Sequence, residues 1–175
     1  AFMREVNALR ACADNPNAIK LIAVCVESRD KLCIITPLYK GGSLHDAIYK
    51  HGYSFPTEQA IQIAKDIADG VAQIHRAGFI HRDLTPTNIL LHPDFKGKSF
   101  VADFGIAITT GDLVPASGQT VKSPRGHPRY KAPEIVSRDP YTEKIDVWQF
   151  GTLLFVLFSN RRPFESMADR EVSAK

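Results

Sequence analysis

The sequence is poor in cysteine. Cys12, Cys25 and Cys33 are the only three, and none stands in CxxC spacing. That number and spacing exclude a disulfide framework and offer no zinc-ligand pattern, so packed thiols in a reducing, cytoplasmic compartment are expected. Long apolar runs are also lacking. The longest, "TLLFVLF" (152–158), falls far short of the roughly 20 residues a spanning helix needs. Nor is there a dense basic patch: 22 Lys and Arg stand against 19 Asp and Glu, a net +3, which argues against nucleic acid as a partner. Internal repeats and a GxSxG nucleophile motif are absent, which leaves a serine hydrolase as a remote alternative.

What remains is a mixed-charge chain of 175 residues, 44% of them hydrophobic, enough for one domain with a core. Ala1 opens inside a helical pattern, no leader-like stretch precedes it, and Lys175 closes no unit. The expectation is a piece of a longer polypeptide.

Phe2, Met3, Val6 and Leu9 carry the spacing of one helical face. "AIKLIAVCVE" and "KLCIITPL", joined by "SRDK", read as a hairpin that brings Cys25 and Cys33 together as packed thiols. A short helix is expected after "GGSL". The longest helix starts with Thr57 as N-cap, runs through Ala60, Ile63, Ala64, Ile67, Val71 and Ile74 as one stripe, and ends at Gly78. Short strands are expected at "FI", "NILL" and "SFVADF". Residues 145–159 are apolar nearly all round, which predicts a helix buried in the core, Trp148 included. Between them "TTGDLVPASGQTVKSPRGHP" (109–128) is a long polar connection of the functional or mobile kind.

Three strings carry chemistry. "HRDLTPTN" (81–88) sets Asp83 and Asn88 five positions apart; "DFG" (103–105) and "APE" (132–134) follow in that order. Together with "GGSL" (41–44), "NILL" (88–91) and "DVWQFG" (146–151), they resemble the eukaryotic protein-kinase signature over essentially the whole chain. "FMREV", "NPNAIKLIAV" and "LCIIT" look most like the tyrosine-kinase-like group.

The resemblance implies an α+β protein-kinase fold: a mainly helical large lobe, with the small-lobe helix (αC in the family) and the hairpin of the family's fourth and fifth strands left from a truncated small lobe. Residues 1–36 would be the small-lobe remnant. Residues 37–175 would be the hinge and large lobe, without its last helices. The implied function is transfer of the γ-phosphate of Mg-ATP to a protein hydroxyl, with ATP and Mg²⁺ as cofactors and a protein as substrate. The alternative is a pseudokinase, a scaffold or nucleotide-binding module without turnover; a small-molecule kinase is remote.

Carried over residue by residue, Asp83 would accept the substrate's hydroxyl proton, and Asn88 and Asp103 would hold Mg²⁺ through hard oxygens. Glu5 matches the acid that pairs with the ATP-holding lysine. Thr36 falls at the gatekeeper, with Pro37, Leu38 and Tyr39 in the hinge and Leu90 beneath the adenine. Leu9, Leu21, His81 and Phe104 match a stacked hydrophobic spine. Asp146 matches the buried acid that anchors the catalytic loop, and Glu134 an acid paired with a distant arginine. Arg82 matches an arginine that receives an activation-loop phosphate. Candidate acceptors are Thr109, Thr110, Ser117, Thr120 and Ser123, with Thr120 and Ser123 ranked first and Lys122 or Arg125 assisting.

Two departures stand out. No glycine-rich loop or lysine strand occurs in these residues, so the 175-residue chain alone is expected to be inactive. The positions two and four after Asp83, where the family places a cation, are Thr85 and Thr87. His127 replaces the usual threonine before "xxYxAPE"; facing the catalytic loop, it either carries a proton and supplies part of the lost charge or, neutral, hydrogen-bonds Thr85 or Asp83 as a fixed spacer. Pro86 tips substrate class toward serine/threonine.

Overall fold

A computed structural model describes residues 2–28, 31–113 and 126–167. Helix α1 (Phe2–Ala11) turns Val6, Ala8 and Leu9 inward and leaves its polar face outside. The hairpin of β1 (Ala23–Ser28) and β2 (Lys31–Ile35) is antiparallel, with Cys25 directly opposite Cys33. Both thiols are exposed and only Cys12 is buried, so the expected packing of the pair is corrected. Residues opposite each other share a face of the pleat, and nothing among the described residues covers that face.

Beyond the hinge, a wide helical turn (Asp46–Lys50) leads to α2 (Thr57–Arg76), the longest helix. Its cap position is Pro56 rather than Thr57. The proline ring holds φ at −52° and the chain enters extended, so no side-chain cap forms. Ala60, Ile63, Ile67, Val71 and Ile74 are buried along one stripe. The helix stops at Gly78, whose φ of 79° is the left-handed closure that a glycine accepts readily.

Gly70 explains how the segment after α1 docks. A Cβ there would lie 2.9 Å from the backbone oxygen of Asn17, so only glycine lets the two backbones meet. Asn15 Nδ2 donates to the Gly70 carbonyl at 2.9 Å, and Asn17 Nδ2 to the Ser99 carbonyl at 3.1 Å. The segment after α1 is thereby tied through two buried amides to α2 and to the residue before Phe100.

Short strands complete the frame: β3 (Phe79–Ile80) pairs with β6 (Ile108–Thr109), and β4 (Ile89–Leu90) with β5 (Phe100–Val101), both antiparallel. They bracket residues 81–88 and 102–107 on a buried base of Ile74, Leu84, Ile89, Val101 and Phe104. Helices α3 (Pro133–Ser137) and α4 (Lys144–Ser159) follow.

Helix α4 departs from expectation. It buries Ile145, Asp146, Gln149, Leu153, Val156 and Leu157, whereas Val147, Trp148, Phe155 and Phe158 are exposed, Trp148 by 41%. Its inner face packs on α2; its outer face, equally apolar in sequence, has no neighbour among the described residues. Apolar composition all round thus reports two faces that differ in burial. No helix among the described residues is long and apolar enough to cross a membrane.

Candidate active site

The site is built outward from α4. Asp146 is fully buried in the first turn of the helix, and its carboxylate accepts the backbone N–H groups of His81 and Arg82, each at 2.8 Å. His75 Nε2 lies 2.8 Å from the same carboxylate. One turn on, Gln149 Oε1 accepts the Leu84 N–H at 3.0 Å and its Nε2 donates to the Arg82 carbonyl at 3.1 Å. Arg82 sits at φ 71°, a left-handed conformation disfavoured for a long side chain. The four bonds to Asp146 and Gln149 over-determine it. Gln149 was not singled out in the sequence; the signal was its i, i+3 spacing from Asp146, which puts both side chains on one helical face.

His81 is fully buried and engages through both ring nitrogens. Nε2 lies 3.0 Å from the Ala102 carbonyl, and Nδ1 accepts the Asp83 N–H at 3.3 Å, a pattern that uses the Nε2–H tautomer. Its ring meets Phe104 edge-on with centroids 5.1 Å apart. Leu9 and Phe104 are buried in the same core, with Leu21 packed against it. The guanidinium of Arg82 lies over the Tyr141 ring, 5.9 Å from its centroid.

Asp83 is half-buried on the loop these contacts fix. Asn88 Nδ2 donates both to the Asp83 carbonyl at 2.8 Å and to Asp83 Oδ2 at 3.0 Å. Oδ1 is buried and has no hydrogen-bond partner among the described residues. The backbone amide of His127 approaches the carboxylate closely enough to draw its pKa down, without completing a bond to Oδ1. Burial is the larger influence and, with the charge of Asp103, pushes the Asp83 carboxyl above the ordinary carboxylate range.

Asp103 is exposed at φ 62°, with Oδ1 accepting the Gly105 N–H at 3.0 Å. Glu5 of α1 faces the same spot: burial and then the charge of Asp103 raise its carboxyl too. The charge of Asp103 thus acts on both Glu5 and Asp83. No cluster of three His, Cys, Asp or Glu fit to hold a metal exists among the described residues. The donor set is instead one amide and one carboxylate. With Nδ2 of Asn88 spent on Asp83, its oxygen is the remaining donor, and with the Asp103 carboxylate it offers the hard oxygens that Mg²⁺ favours. The negative charge gathered there fits a divalent cation.

At the hinge, Thr36 and Pro37 are half-buried and Leu38 is 83% exposed. The Tyr39 ring packs on Phe100 at 4.5 Å, and Phe100 pairs across the strands with Leu90, so these three come together. Glu134 is half-buried in the first turn of α3. Thr109 lies in β6 and Thr110 in the turn after it. Ser117, Thr120, Lys122, Ser123 and Arg125 lie outside the described residues.

The side chain of His127 is exposed, and its Nδ1 accepts the Arg129 N–H at 3.3 Å, capping the turn Pro128–Tyr130. Its backbone acts on the Asp83 carboxylate from the start of that turn.

The sequence model described as "Protein kinase domain" matches residues 1–175. Among curated proteins, the chain is 32% identical over 174 residues to "Dual specificity protein kinase pyk3" of Dictyostelium discoideum, covering 99% of this chain and 12% of that protein. It is 38% identical to the "Serine/threonine-protein kinase H1 homolog" of Danio rerio (85% of this chain, 34% of that protein). It is likewise 38% identical to "Serine/threonine-protein kinase PEPKR2" of Arabidopsis thaliana (93% and 32%). The chain thus spans about a third or less of the length of these relatives.

Proposed function

The chain belongs to the protein kinase family, and from that premise we propose that the protein carrying it transfers the γ-phosphate of Mg-ATP to serine or threonine hydroxyls of other proteins. In this reading residues 1–36 belong to the small lobe and 37–175 to the hinge and large lobe, and the protein works in the cytoplasm, where ATP is supplied. The names of the zebrafish and Arabidopsis relatives favour serine/threonine over tyrosine. Assignment to the tyrosine-kinase-like group rests on the strings near the start of the chain.

The observation that carries the reading is the state of Asp83. Its loop is fixed by Asp146 and Gln149, one oxygen is held by Asn88, and the other is buried with its hydrogen-bonding capacity open. An acceptor held so is ready for a hydroxyl proton, and a raised pKa brings it nearer the working range of a general base. The substrate oxygen would form its bond to the γ-phosphorus as the bond to the β,γ-bridging oxygen breaks. That electron pair leaves with ADP, and the hydroxyl proton goes to Asp83. Asn88 and Asp103 would hold the Mg²⁺, which when bound neutralises phosphate charge. Tyr39 and Leu90 would flank the adenine.

Replacing Asp83 with Asn tests this. Transfer to a peptide substrate should fall at least about a hundredfold while Mg-ATP affinity stays within a few-fold, since a base acts in the reaction and not in nucleotide binding. Asp103→Asn should weaken Mg-ATP binding as well. Wild-type turnover in both variants would sink the enzyme reading.

One observation favours the pseudokinase. Thr85 Oγ1 and Thr87 Oγ1 bond each other at 2.7 Å, so the corner where the family places a cation is neutral and closed on itself. Nucleotide binding without transfer in the wild-type protein would favour that alternative.

A further inference from the structure

The phosphate-transfer corner needs a cation, and residues 85 and 87 do not supply one. Thr85 is buried at 4% exposure, and its hydroxyl is committed to Thr87. A second strand of chain, however, passes over Asp83 from the other side. Gly126 stands there at φ 99°, a conformation that only glycine adopts without strain. A Cβ at Gly126 would lie 3.5 Å from Asp83 Oδ1 and 3.9 Å from Cε of Lys131. The missing side chain leaves one small gap, with the carboxylate oxygen on one flank and the end of a lysine on the other.

Lys131 is well placed to stay there. It is half-buried, and its neighbours Tyr130 and Ala132 are buried at 5% and 1% exposure. Its own N–H bonds the Pro128 carbonyl at 3.2 Å, and Arg129 ties the same turn to the carbonyls of Pro163 and Met167. The backbone under Lys131 is therefore fixed.

We propose that Lys131 supplies the positive charge that residues 85 and 87 lack, standing across the Gly126 gap from Asp83 Oδ1 and beside the phosphoryl group in flight. Burial lowers the Lys131 pKa and the Asp83 carboxylate works against that fall. The groups acting on the carboxylate itself are His81, Asn88, Asp103 and the His127 backbone. The lysine two residues after the base is thus replaced by one that stands 48 residues after the base, in the segment that ends in "APE". Lys131 acts through Asp83 in the free protein, orienting its open oxygen, and so is a positioning residue. It rests on the reading of Asp83 as the base.

The experiment uses the whole protein with Lys131→Met, and Lys131→Gln as a second neutral variant should Met disturb folding. Turnover should drop about 10- to 100-fold, the size expected for one charged partner of the transferring group, with KM for ATP and Kd for Mg-ADP within about threefold. Thr85→Lys added to Lys131→Met should recover at least about tenfold, which a merely structural lysine would not allow. Turnover within about twofold of wild type in both neutral variants overturns the proposal, and so does a loss in Lys131→Met that Thr85→Lys leaves unrecovered. If Asp83→Asn itself turns over normally, the base assignment falls instead, and the Thr85→Lys recovery still reports whether a cation is needed at this corner.

Discussion

Gln149 sits one helical turn beyond Asp146, and between them the two side chains make four bonds to the backbone of His81, Arg82 and Leu84, on the loop that carries Asp83. The acid takes the N–H groups at the start of that loop. The amide takes a carbonyl and an N–H one step further on. A carboxylate has no donor for the Arg82 carbonyl, which is why the second position needs an amide.

Gln149→Leu keeps the volume and removes both bonds, leaving the Leu84 N–H and the Arg82 carbonyl buried and unpaired. A loss of about 1–3 kcal/mol is expected, read from urea unfolding midpoints. Transfer activity should fall further than stability accounts for, because Arg82 at φ 71° is released next to the base.

Gly70→Ala forces a Cβ to 2.9 Å from the Asn17 oxygen, a backbone atom that cannot swing aside. The expected cost is about 1–3 kcal/mol, seen as a lower Tm, although alanine is the better helix former at an ordinary site.

The raised pKa of Asp83 makes a signed statement about stability. Between its unfolded value and its raised folded value, the folded chain holds a proton that the unfolded chain has lost, so stability falls as pH climbs through that window. Above it the buried charge is a standing cost. Asp83→Asn should therefore raise Tm at neutral pH, and the gain should vanish below the unfolded carboxylate pKa. A variant that gained nothing at pH 7 would mean that the charge is better compensated than its surroundings indicate. Catalysis runs the other way: turnover should decline as acid protonates Asp83.

Trp148 is the one tryptophan in the sequence and is 41% exposed, in an open apolar groove with Phe155, Pro163 and Phe164. Its fluorescence should be solvent-shifted to long wavelength and strongly quenched by acrylamide. A blue, unquenched emission would mean that this groove is covered in solution.

Much of the site was legible because its chemistry demands particular side chains at fixed spacing. The five-residue spacing lets Asn88 reach back to Asp83 within one loop. What escaped notice acts through space or through backbone. Gln149 and Lys131 are ordinary polar residues until the fold brings them to the loop, and His127 contributes an amide that any residue but proline has. The imidazole that drew attention there points into solvent and caps a turn. Likewise "IDVWQFGTLLFVLFS" has too little periodicity to reveal that one face of its helix is buried and the other bare. Strand positions were easier: β-branched runs and short turns located the hairpin and the pieces "FI", "NILL" and "SFVADF", although not Ile108–Thr109, the partner of Phe79–Ile80.

The two thiols that face each other on the exposed hairpin give the molecule an unplanned pair of handles. Cys12, the third, is buried, and its burial pushes its pKa up to about 11, so it stays unreactive toward maleimide near neutrality. A dye or spin label applied to the unaltered chain would go to positions 25 and 33 alone, on the same short ribbon. Energy transfer from Trp148 to a dye on that ribbon could then follow the hairpin against α4 without a single engineered cysteine.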